Sequence, residues 1–374
     1  MSTTPIVQFG TSRFLQAHAD LFISEALQSG DALGPVTVVQ TSGDPSRSRR
    51  LQALADPAGY EVRIKGLENG ELVDASKTVK SIIRACSLPQ DLSAVADIIS
   101  NEARVLISNT ADAGFKSQLE DQSTEFSSKM SYPAKLTWFL FQRFKSGGDP
   151  IQIMPAELIP QNGNVLRGLV LTIAEIYSPD FISWLETKVL WVNSLVDRIV
   201  SEPLEPAGAV AEPYGLWAIE HQPGIILPCS HPDVRLVKEL DQFETLKLFI
   251  LNLGHTYLVS RWLSSPEPKW QFVRELMEDP EYLDDLTDLY EQEVVPVFAS
   301  HGREDEARAY INTTIDRFKN PFLDHKLEDI AQNHREKVAR RIATFVAFAK
   351  RSDLHPQMPR LEALVKSETQ AGAA

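Results

Sequence analysis

Short apolar runs alternate with helical patterns through the first half of the chain. The runs are Ile6–Phe9, Val36–Val39, Val105–Ile107 and Ile151–Met154, and turn-forming or polar residues bound each of them. Apolar positions with helical spacing fill several of the intervals between these runs. Strands that alternate with helices are typical of a parallel sheet. The pattern therefore predicts an α/β domain in the first part of the chain.

The pattern changes near Leu236, where strand-like runs become rare and long amphipathic stretches follow. The helices predicted there cover residues 243–262, 280–298 and 327–348. Pro-rich intervals at residues 201–206 and 223–232 predict loops shortly before this change. We therefore predict two domains, residues 1–235 around the sheet and residues 236–374 mainly helical. A chain of 374 residues is long enough for each domain to bury its own core.

Composition and charge narrow the range of partners. Apolar residues make up 43% of the chain and charged residues 24%, which is ordinary for a globular protein. The net charge of −14 argues against nucleic acid or an anionic membrane as the main partner, because both bind basic surfaces. We find no signal-like start and no apolar run of transmembrane length. We expect a cytoplasmic monomer or homodimer that acts on a small molecule.

The spacing of ligand-type residues gives no support to metal or serine-nucleophile chemistry. The eight histidines are dispersed, and no two of them have the H-x-x-x-H spacing of a helical metal site. Cys86 and Cys229 have no Cys or His partner close by in the sequence. No G-x-S-x-G nucleophile elbow occurs. We therefore predict a protein without a bound metal.

The turn after the first predicted strand is a candidate phosphate-binding site. Residues 10–18 read GTSRFLQAH and lead from the strand into a helix, where dinucleotide-binding folds place a pyrophosphate. Gly10 is the single glycine, Ser12 stands where a second is expected, and Arg13 is able to contact phosphate. The segment alone fits an ordinary strand-to-helix turn equally well.

Residues after the second predicted strand bear on the choice of cofactor. An acidic residue there favours the ribose hydroxyls of NAD, whereas an arginine accommodates the 2′-phosphate of NADP. The strand ends at Gln40 and is followed by Asp44, Arg47, Arg49 and Arg50. A solvated helix face is the simpler explanation of the arginines. The sequence leaves the choice between NAD and NADP open.

Three polar residues interrupt an apolar stretch in the second half of the chain. Residues 247–255 read KLFILNLGH, which predicts a buried helix. At about 100° per residue, Asn252 and His255 lie roughly 140° and 80° round from Lys247, so one broad face carries all three. Gly254 would leave room for a ligand beside His255.

The chemistry of this trio suits the oxidation of an alcohol. Burial would lower the pKa of Lys247 towards the range of a general base. The amide of Asn252 is able to donate to an oxygen that gains negative charge, and His255 to orient a hydroxyl. The trio alone also fits a snorkelling lysine, with the asparagine and histidine satisfied in the core.

Together these segments resemble the polyol-specific long-chain dehydrogenases, the mannitol dehydrogenase family. The pattern K-x-x-x-x-N-x-x-H at residues 247–255, the run NSLVDRI at residues 193–199 and the opening QFGTSRFLQAH at residues 8–18 are similar to that family's signatures. The resemblance implies a Rossmann-like domain followed by a helical domain. It also implies an NAD-dependent oxidoreductase of CH–OH groups, with NADP possible.

The resemblance also implies roles for individual residues. Lys247 would be the base, Asn193 and Asn252 would form a polar cradle for the reacting oxygen, and His255 would hold a substrate hydroxyl. Further substrate contacts would come from Arg317 and His325. For Arg317, a structural ion pair within the helical domain is an equal alternative. The residues expected along the cofactor are Gly10, Ser12, Arg13 and Phe14, with Ser108, Asn109 and Thr110 near the nicotinamide half.

Within the family, several segments resemble the tagaturonate reductases, also called altronate oxidoreductases. They are residues 108–110, 131–137, 155–158 and 317–321 together with His325. This implies a sugar acid of the tagaturonate or altronate kind as substrate. Residues 212–217 read EPYGLW and instead resemble the mannitol dehydrogenases proper, so a dehydrogenase of mannitol, arabinitol or a related alditol is the alternative. A nicotinamide-binding sensor without turnover is the alternative from another class.

Overall fold

The protein consists of two compact units that exchange short segments of chain. The computed structural model describes residues 3–42, 47–110, 112–266, 269–351 and 356–370. The first unit contains Met1–Ile64, Ala75–Ala211 and Gly215–Leu240. The second contains Lys65–Asp74, Glu212–Tyr214 and Asp241–Ala374. None of the helices in the described ranges combines the length and apolarity needed to cross a membrane.

The strands lie almost entirely in the first two thirds of the chain. In chain order they are β1 (Ile6–Phe9), β2 (Val36–Gln40), β3 (Tyr60–Glu68), β4 (Glu71–Val79), β5 (Ile82–Ser87), β6 (Val105–Ser108), β7 (Ile151–Pro155), β8 (Val189–Trp191), β9 (Ser194–Asp197), β10 (Val200–Pro203), β11 (Gly208–Ala211), β12 (Leu216–Glu220) and β13 (Val234–Val237).

The helices fall into two groups, one in each unit. Those of the first unit are α1 (Arg13–Gln16), α2 (Ala19–Ser29), α3 (Ser48–Leu54), α4 (Leu88–Asn101), α5 (Tyr132–Lys145), α6 (Asn162–Ala174) and α7 (Pro179–Lys188). Those of the second unit are α8 (Asp241–Leu246), α9 (Leu253–Leu263), α10 (Val273–Glu278), α11 (Pro280–Leu289), α12 (Val295–Ser300), α13 (Glu304–Lys319), α14 (Leu327–Ala331), α15 (His334–Lys337), α16 (Thr344–Ala349) and α17 (Pro359–Gln370).

A six-stranded parallel sheet organises the first unit. Its strand order is β5-β2-β1-β6-β7-β8, and every neighbouring pair is parallel. Phe9 at the end of β1 aligns with Val39 and Ser108, so the carboxyl ends of the central strands meet at one edge. Continuous burial of β1, β2, β6 and β7 explains their unbroken apolar runs. The predicted α/β fold with a parallel sheet is confirmed.

The remaining strands form two smaller sheets, and a strand in one of them lies where we predicted a loop. The order in these sheets is β10-β11-β3-β4 and β13-β12-β9. We predicted a loop over residues 201–206, but Val200–Pro203 forms a strand antiparallel to Gly208–Ala211. Proline lacks an amide donor, and the position of β10 at the edge of its sheet tolerates this loss.

The second unit is built from helices, as predicted. Three long helices run from Asp241 to Leu263, from Pro280 to Ser300 and from His334 to Ala349. A π-helical turn interrupts each of them, at Lys247–Asn252, Tyr290–Val294 and Val338–Ala343. The turn at Lys247–Asn252 packs against the other two, and all three contribute residues to a separate apolar core. The sequence analysis did not predict any of the three.

The division of the chain differs from the predicted boundary at residue 235. Residues 65–74, the tip of the β3–β4 hairpin, belong to the second unit. At this tip the backbone amide of Gly70 donates to the carboxylate of Asp316 at 3.1 Å, and the side-chain amide of Asn320 donates to the carbonyl of Lys65 at 3.2 Å. These bonds tie the tip to α13 and the residue that follows it. A boundary placed at a single residue misses such long-range contacts.

Candidate active site

A cavity of about 600 Å³ opens at the carboxyl ends of the parallel strands. Ligands of such sheets bind at this edge. The lining residues that were predicted from the sequence are Gly10, Ser12, Asn109 and Thr110. Gly10 has a φ of +115°, and a Cβ atom there would lie 2.6 Å from the carbonyl oxygen of Asn109. The position therefore requires glycine, and the backbone can approach a ligand closely.

Ser12 connects this turn to the end of β6. Its hydroxyl caps α1 by accepting from the amide of Leu15 at 3.2 Å, and it donates to Oδ1 of Asn109 at 3.0 Å. The amide nitrogen of Asn109 in turn donates to the carbonyl of Ala156 at 2.7 Å. The serine that replaces a glycine in the expected pattern is therefore a structural link across three strand ends.

Glu157, which follows β7, is a functional candidate that the sequence analysis did not single out. Its buried carboxylate accepts bonds from the hydroxyl of Ser108 at 3.0 Å and from the backbone amide of Thr110 at 2.9 Å. Burial raises the pKa of Glu157, and these hydrogen bonds oppose the rise. The signal for it was an acidic residue directly after a buried parallel strand.

Arg13 and Phe14, both predicted along the cofactor, make contacts within the protein instead. The Arg13 guanidinium donates to the carbonyl of Gly208 at 3.0 Å and to the carboxylate of Glu205 at 2.5 Å. Phe14 stacks on the ring of His18 with centroids 4.7 Å apart. Neither residue lines the cavity of about 600 Å³. Their predicted contact with the cofactor gains no support from these positions.

Positive charge characterises the described lining of this cavity. It includes Arg47, Arg50, Lys129 and Lys135, and no carboxylate among the described residues. Burial lowers the pKa of Lys135, and the charge of Asp121 opposes this. Asp44, which bears on the choice between NAD and NADP, lies outside the described residues. An anionic dinucleotide fits both the charges and the tight turn at Gly10.

Asn193 lies in the first unit, between β8 and β9. Its Oδ1 accepts from the backbone amide of Asn164 at 3.0 Å, and its side-chain nitrogen donates to Glu220 at 2.7 Å. An amide group has two donor hydrogens. The two partners therefore fix the orientation of the Asn193 side chain and use one donor. Its predicted place in the cradle stays a prediction.

A π-helical turn changes the predicted geometry of Lys247 and Asn252. Hydrogen bonds in such a turn run from residue i to residue i+5, so each turn holds more residues than in an α-helix. Lys247 and Asn252 are five residues apart, and the wider turn brings Asn252 round towards the lysine. Lys247 is half-buried, in contrast to the full burial that we predicted.

The space beside Gly254 is occupied by protein. A Cβ atom at this position would collide with the hydroxyl of Tyr290 and lie 3.2 Å from the ring of Phe318. The Tyr290 hydroxyl donates to the carbonyl of Ile250 at 2.9 Å. Our prediction that Gly254 leaves room for a ligand is therefore wrong. The glycine makes room for a tyrosine that supports the π turn.

His255 is a buried imidazole of the second unit, and its predicted contact with a substrate hydroxyl stays a prediction. Its side chain is 8% exposed, and its ring packs 4.2 Å from Phe318 and 4.9 Å from His325, measured between centroids. Among the described residues, no hydrogen-bond partner accompanies either imidazole. Burial lowers the pKa of His255 well below its usual value, and the charges of His325 and Arg317 lower it further. His255 is therefore neutral near pH 7.

Arg317 has a partner within the second unit. Its guanidinium donates to both carboxylate oxygens of Glu212, at 2.9 and 3.0 Å, and both side chains are almost fully buried. It also lies 4.6 Å from the centre of the Tyr214 ring. The fork predicted for a substrate carboxylate is thus engaged by Glu212. The structural ion pair raised as an alternative from the sequence is therefore present, and a substrate contact of Arg317 stays a prediction.

Arg341 and Lys337 are two further cations near His255 that sequence reasoning missed. Arg341 donates to the hydroxyl of Thr256 at 3.1 Å and to the carbonyl of Asn252 at 3.4 Å. Lys337 donates to the carbonyl of Ile330 at 2.7 Å. Both positive charges lower the pKa of His255. The spacing of residues in the sequence gave no sign that Arg341 contacts the helix of Asn252 or that the charge of Lys337 acts on His255.

Comparison with known proteins identifies the family. Residues 4–225 match the profile described as the mannitol dehydrogenase Rossmann domain, and residues 239–362 match the mannitol dehydrogenase C-terminal domain. The altronate oxidoreductase of Bacillus subtilis strain 168 is 32% identical over 94% of this chain and 76% of its own length.

Solved structures share the fold. A substrate-free D-sorbitol dehydrogenase superposes with a TM-score of 0.78 at 20% identity, over 92% of this chain and 76% of the other. The mannitol 2-dehydrogenase of Pseudomonas fluorescens superposes with a TM-score of 0.69 at 19% identity, over 93% and 77%. With both parts of the chain matched, this protein belongs to the mannitol dehydrogenase family and is a nicotinamide-dependent oxidoreductase of CH–OH groups.

Proposed function

We propose that this protein interconverts a secondary hydroxyl and a ketone on a sugar acid of the tagaturonate or altronate kind, with Lys247 as the general acid and base. The relative from Bacillus subtilis, which is 32% identical, is named an altronate oxidoreductase. Relatives of the same name from Halalkalibacterium halodurans and Escherichia coli are 29% and 30% identical. These names support the sugar acid over the neutral alditol.

The observation that carries the proposal is the π turn at Lys247–Asn252. A turn of this width supports the proposal, because residues five positions apart lie closer to the same side of a π helix than of an α-helix. His255 follows three residues after Asn252, and its imidazole has no hydrogen-bond partner within the part of the chain that the structure describes. Wide turns of this kind recur at functional sites in other proteins. Here the wide turn is supported by a dedicated hydrogen bond from Tyr290.

These residues suit the movement of one proton. In oxidation Lys247 takes the proton of the substrate hydroxyl, and in reduction it returns a proton to the carbonyl oxygen. The Asn252 amide donates to that oxygen as negative charge develops. His255, being neutral, is able to donate to or accept from a neighbouring hydroxyl. A bound nicotinamide supplies or accepts the hydride.

The cofactor proposed is NAD, with NADP as the second candidate. Arg47 and Arg50 line the cavity and are the reason to keep NADP as a candidate, because an arginine near the ribose accommodates a 2′-phosphate. Arg47→Ala and Arg50→Ala should each raise the KM for NADPH more than that for NADH. Arg49→Ala is the matched control, because Arg49 is exposed and does not line the cavity. If both substitutions raised the KM for NADH and NADPH equally, Arg47 and Arg50 would not recognise the 2′-phosphate.

Substitution of Lys247 tests the proposed function. Turnover is measured with uronates, aldonates, hexitols and pentitols and with both oxidised and reduced forms of each cofactor, by nicotinamide absorbance. Lys247→Ala should lower kcat by about 100-fold or more, because a positioned acid or base contributes that much. Lys350→Ala is the control, since Lys350 is 66% exposed in the same unit. Near wild-type turnover in Lys247→Ala would refute the assignment.

The substrate panel separates the sugar acid from the neutral alternative. We expect the highest kcat/KM with a hexuronate or hexonate. A preference for mannitol or arabinitol would replace the sugar acid by a neutral alditol and leave the assignment of Lys247 intact. Cofactor binding without turnover of any compound would favour the sensor.

A further inference from the structure

Two cations of the second unit, Arg341 and Lys337, lie beside the predicted substrate residues without an acidic partner. Among the described residues, neither forms an ion pair with a carboxylate. Nearby Arg340, in contrast, has Glu336 at 3.8 Å on the exposed side of the same helix. In a chain with a net charge of −14, unpaired cations that are half-buried need an explanation.

The geometry of Arg341 places it against the turn that carries Asn252 and His255. Its Nη1 donates to the Thr256 hydroxyl at 3.1 Å and to the Asn252 carbonyl at 3.4 Å. A guanidinium has five donor hydrogens. Among the described residues, the other nitrogens of Arg341 have no hydrogen-bond partner. The arginine is thus anchored on one side and has donors left over on the other.

Lys337 precedes Arg341 by four residues, at the point where α15 passes into a π turn. Its ammonium donates to the carbonyl of Ile330 at 2.7 Å, which uses one of three hydrogens. Burial lowers the pKa of Lys337 and of Arg341, so each loses hydration without gaining a counter-ion within the described protein.

The surroundings of His255 point to an anion. The charges that act on this imidazole come from His325, Arg317, Arg341 and Lys337, all of which lower its pKa. Glu212 holds Arg317, whereas no carboxylate among the described residues is paired with Arg341 or Lys337. His255 itself is nine-tenths buried, and its ring nitrogens have no hydrogen-bond partner in the described ranges. A ligand with hydroxyls and one negative charge would satisfy all of these groups.

We propose that Arg341 and Lys337 form a subsite that binds the carboxylate of the sugar-acid substrate, in place of Arg317. The inference rests on the proposed function and extends it to the residues that select an acid. Arg341 supplies the planar fork that suits a carboxylate, and Lys337 adds a point charge. His255 and His325 then face the hydroxyl-bearing carbons of the same molecule.

The test compares Arg341→Gln and Lys337→Gln with Arg340→Gln as the matched control. Each variant is assayed with the best sugar acid, and its thermal melting is recorded. Each of the first two should raise the KM for the acid by about tenfold or more with kcat largely kept, because a hydrogen bond to a charged group is lost. Arg341→Lys should recover part of the affinity, and Arg340→Gln should behave as wild type.

Two results would overturn the subsite. One is an unchanged KM for the acid in Arg341→Gln and Lys337→Gln. The other is a parallel fall of kcat, melting temperature and affinity without recovery in Arg341→Lys, which would give Arg341 a purely structural role. The proposed function is tested by a different measurement, because it fails if Lys247→Ala keeps near wild-type turnover. Binding of the acid in these variants, followed by titration calorimetry, reports on the subsite in either case.

Discussion

The hydroxyl of Tyr290 donates a hydrogen bond to the carbonyl of Ile250, and the two atoms are 2.9 Å apart. Tyr290 begins one π turn, and Ile250 lies inside another that starts at Lys247. A change from i+4 to i+5 bonding leaves a backbone carbonyl in need of a donor. The tyrosine supplies a buried donor to the Ile250 carbonyl, which also accepts from the backbone amide of Leu253. The position of Lys247 therefore depends on a residue some forty positions away.

Tyr290→Phe removes this hydroxyl without changing the packing of the ring. The Ile250 carbonyl then keeps only the backbone amide of Leu253 as a donor, and the lost hydrogen bond costs about 0.5 to 1.5 kcal/mol of unfolding free energy. We expect a lower urea midpoint together with a lower kcat, because the π turn carries Lys247. Tyr282→Phe, two turns earlier on the same long helix, is the control and should leave both unchanged. If the two variants had the same urea midpoint and the same kcat, the Tyr290 hydroxyl would have no role in supporting the π turn.

Gly254→Ala tests the space that the tyrosine fills. An added methyl group meets the Tyr290 hydroxyl, so we expect destabilisation in place of the usual gain of about 0.5 to 1 kcal/mol for Gly→Ala in a helix. Gly168→Ala in α6 is the control, because its Cβ would point into open space and should stabilise. Adding Tyr290→Phe to Gly254→Ala should recover part of the loss in denaturant unfolding. If stability were not recovered, the contact of the added methyl group with the Phe318 ring would be the cause of the destabilisation.

Glu157→Gln tests the link between two strand ends. The glutamine oxygen can still accept from the Thr110 amide, but its NH2 group donates where Ser108 donates, so the serine hydroxyl must reverse its bond and the negative charge is lost. We expect a severalfold weaker affinity for NADH, read by fluorescence titration, because Thr110 lines the cavity. Glu175→Gln, at an exposed helix end, should bind NADH as wild type does. Unaltered affinity in Glu157→Gln would limit its role to folding.

Asp20 gives the first unit a pH-dependent stability. Burial raises the pKa of Asp20 to about 7, although Tyr60 donates to it at 3.0 Å. Because the pKa in the folded state exceeds that in the unfolded state, Asp20 stabilises the fold fully below about pH 4. This contribution, roughly 4 kcal/mol, is lost as the pH rises through 7.

Asp20→Asn should flatten the decline of the urea midpoint between pH 4 and pH 7. Asn stays neutral across this range and keeps an oxygen that accepts from Tyr60. Asp31→Asn, at an exposed position, should retain the wild-type slope. The same decline in both variants would show that other groups cause it.

The sequence predicted those parts of the fold in which burial of a strand or turn leaves a local pattern of residues. The runs at Ile6–Phe9 and Val36–Val39 are strands because both faces of the sheet are covered, and such runs are visible without a structure. The Gly10 turn was also recognisable, because a turn between the first strand and a helix is where dinucleotide-binding folds place a pyrophosphate. Glu157 was within reach of the same logic.

The remaining features depend on partners that are distant in the sequence. Regular helical geometry was assumed for Lys247 and Asn252, and the π turn that replaces it is held by Tyr290. Arg317 has its partner Glu212 more than a hundred residues earlier, so its ion pair had no local signature. Arg341 reaches Asn252 across a similar interval. Helical periodicity identifies the elements but not these pairings.

The helical unit is discontinuous in sequence, because it includes residues 65–74 and 212–214 in addition to the C-terminal part of the chain. A fragment that begins at Asp241 would lack Glu212 and would bury the Arg317 guanidinium without its counter-charge. It would also lack the hairpin tip that Asp316 and Asn320 hold. Exchange of the helical unit between relatives as a single cassette would therefore fail unless both short segments were transplanted with it.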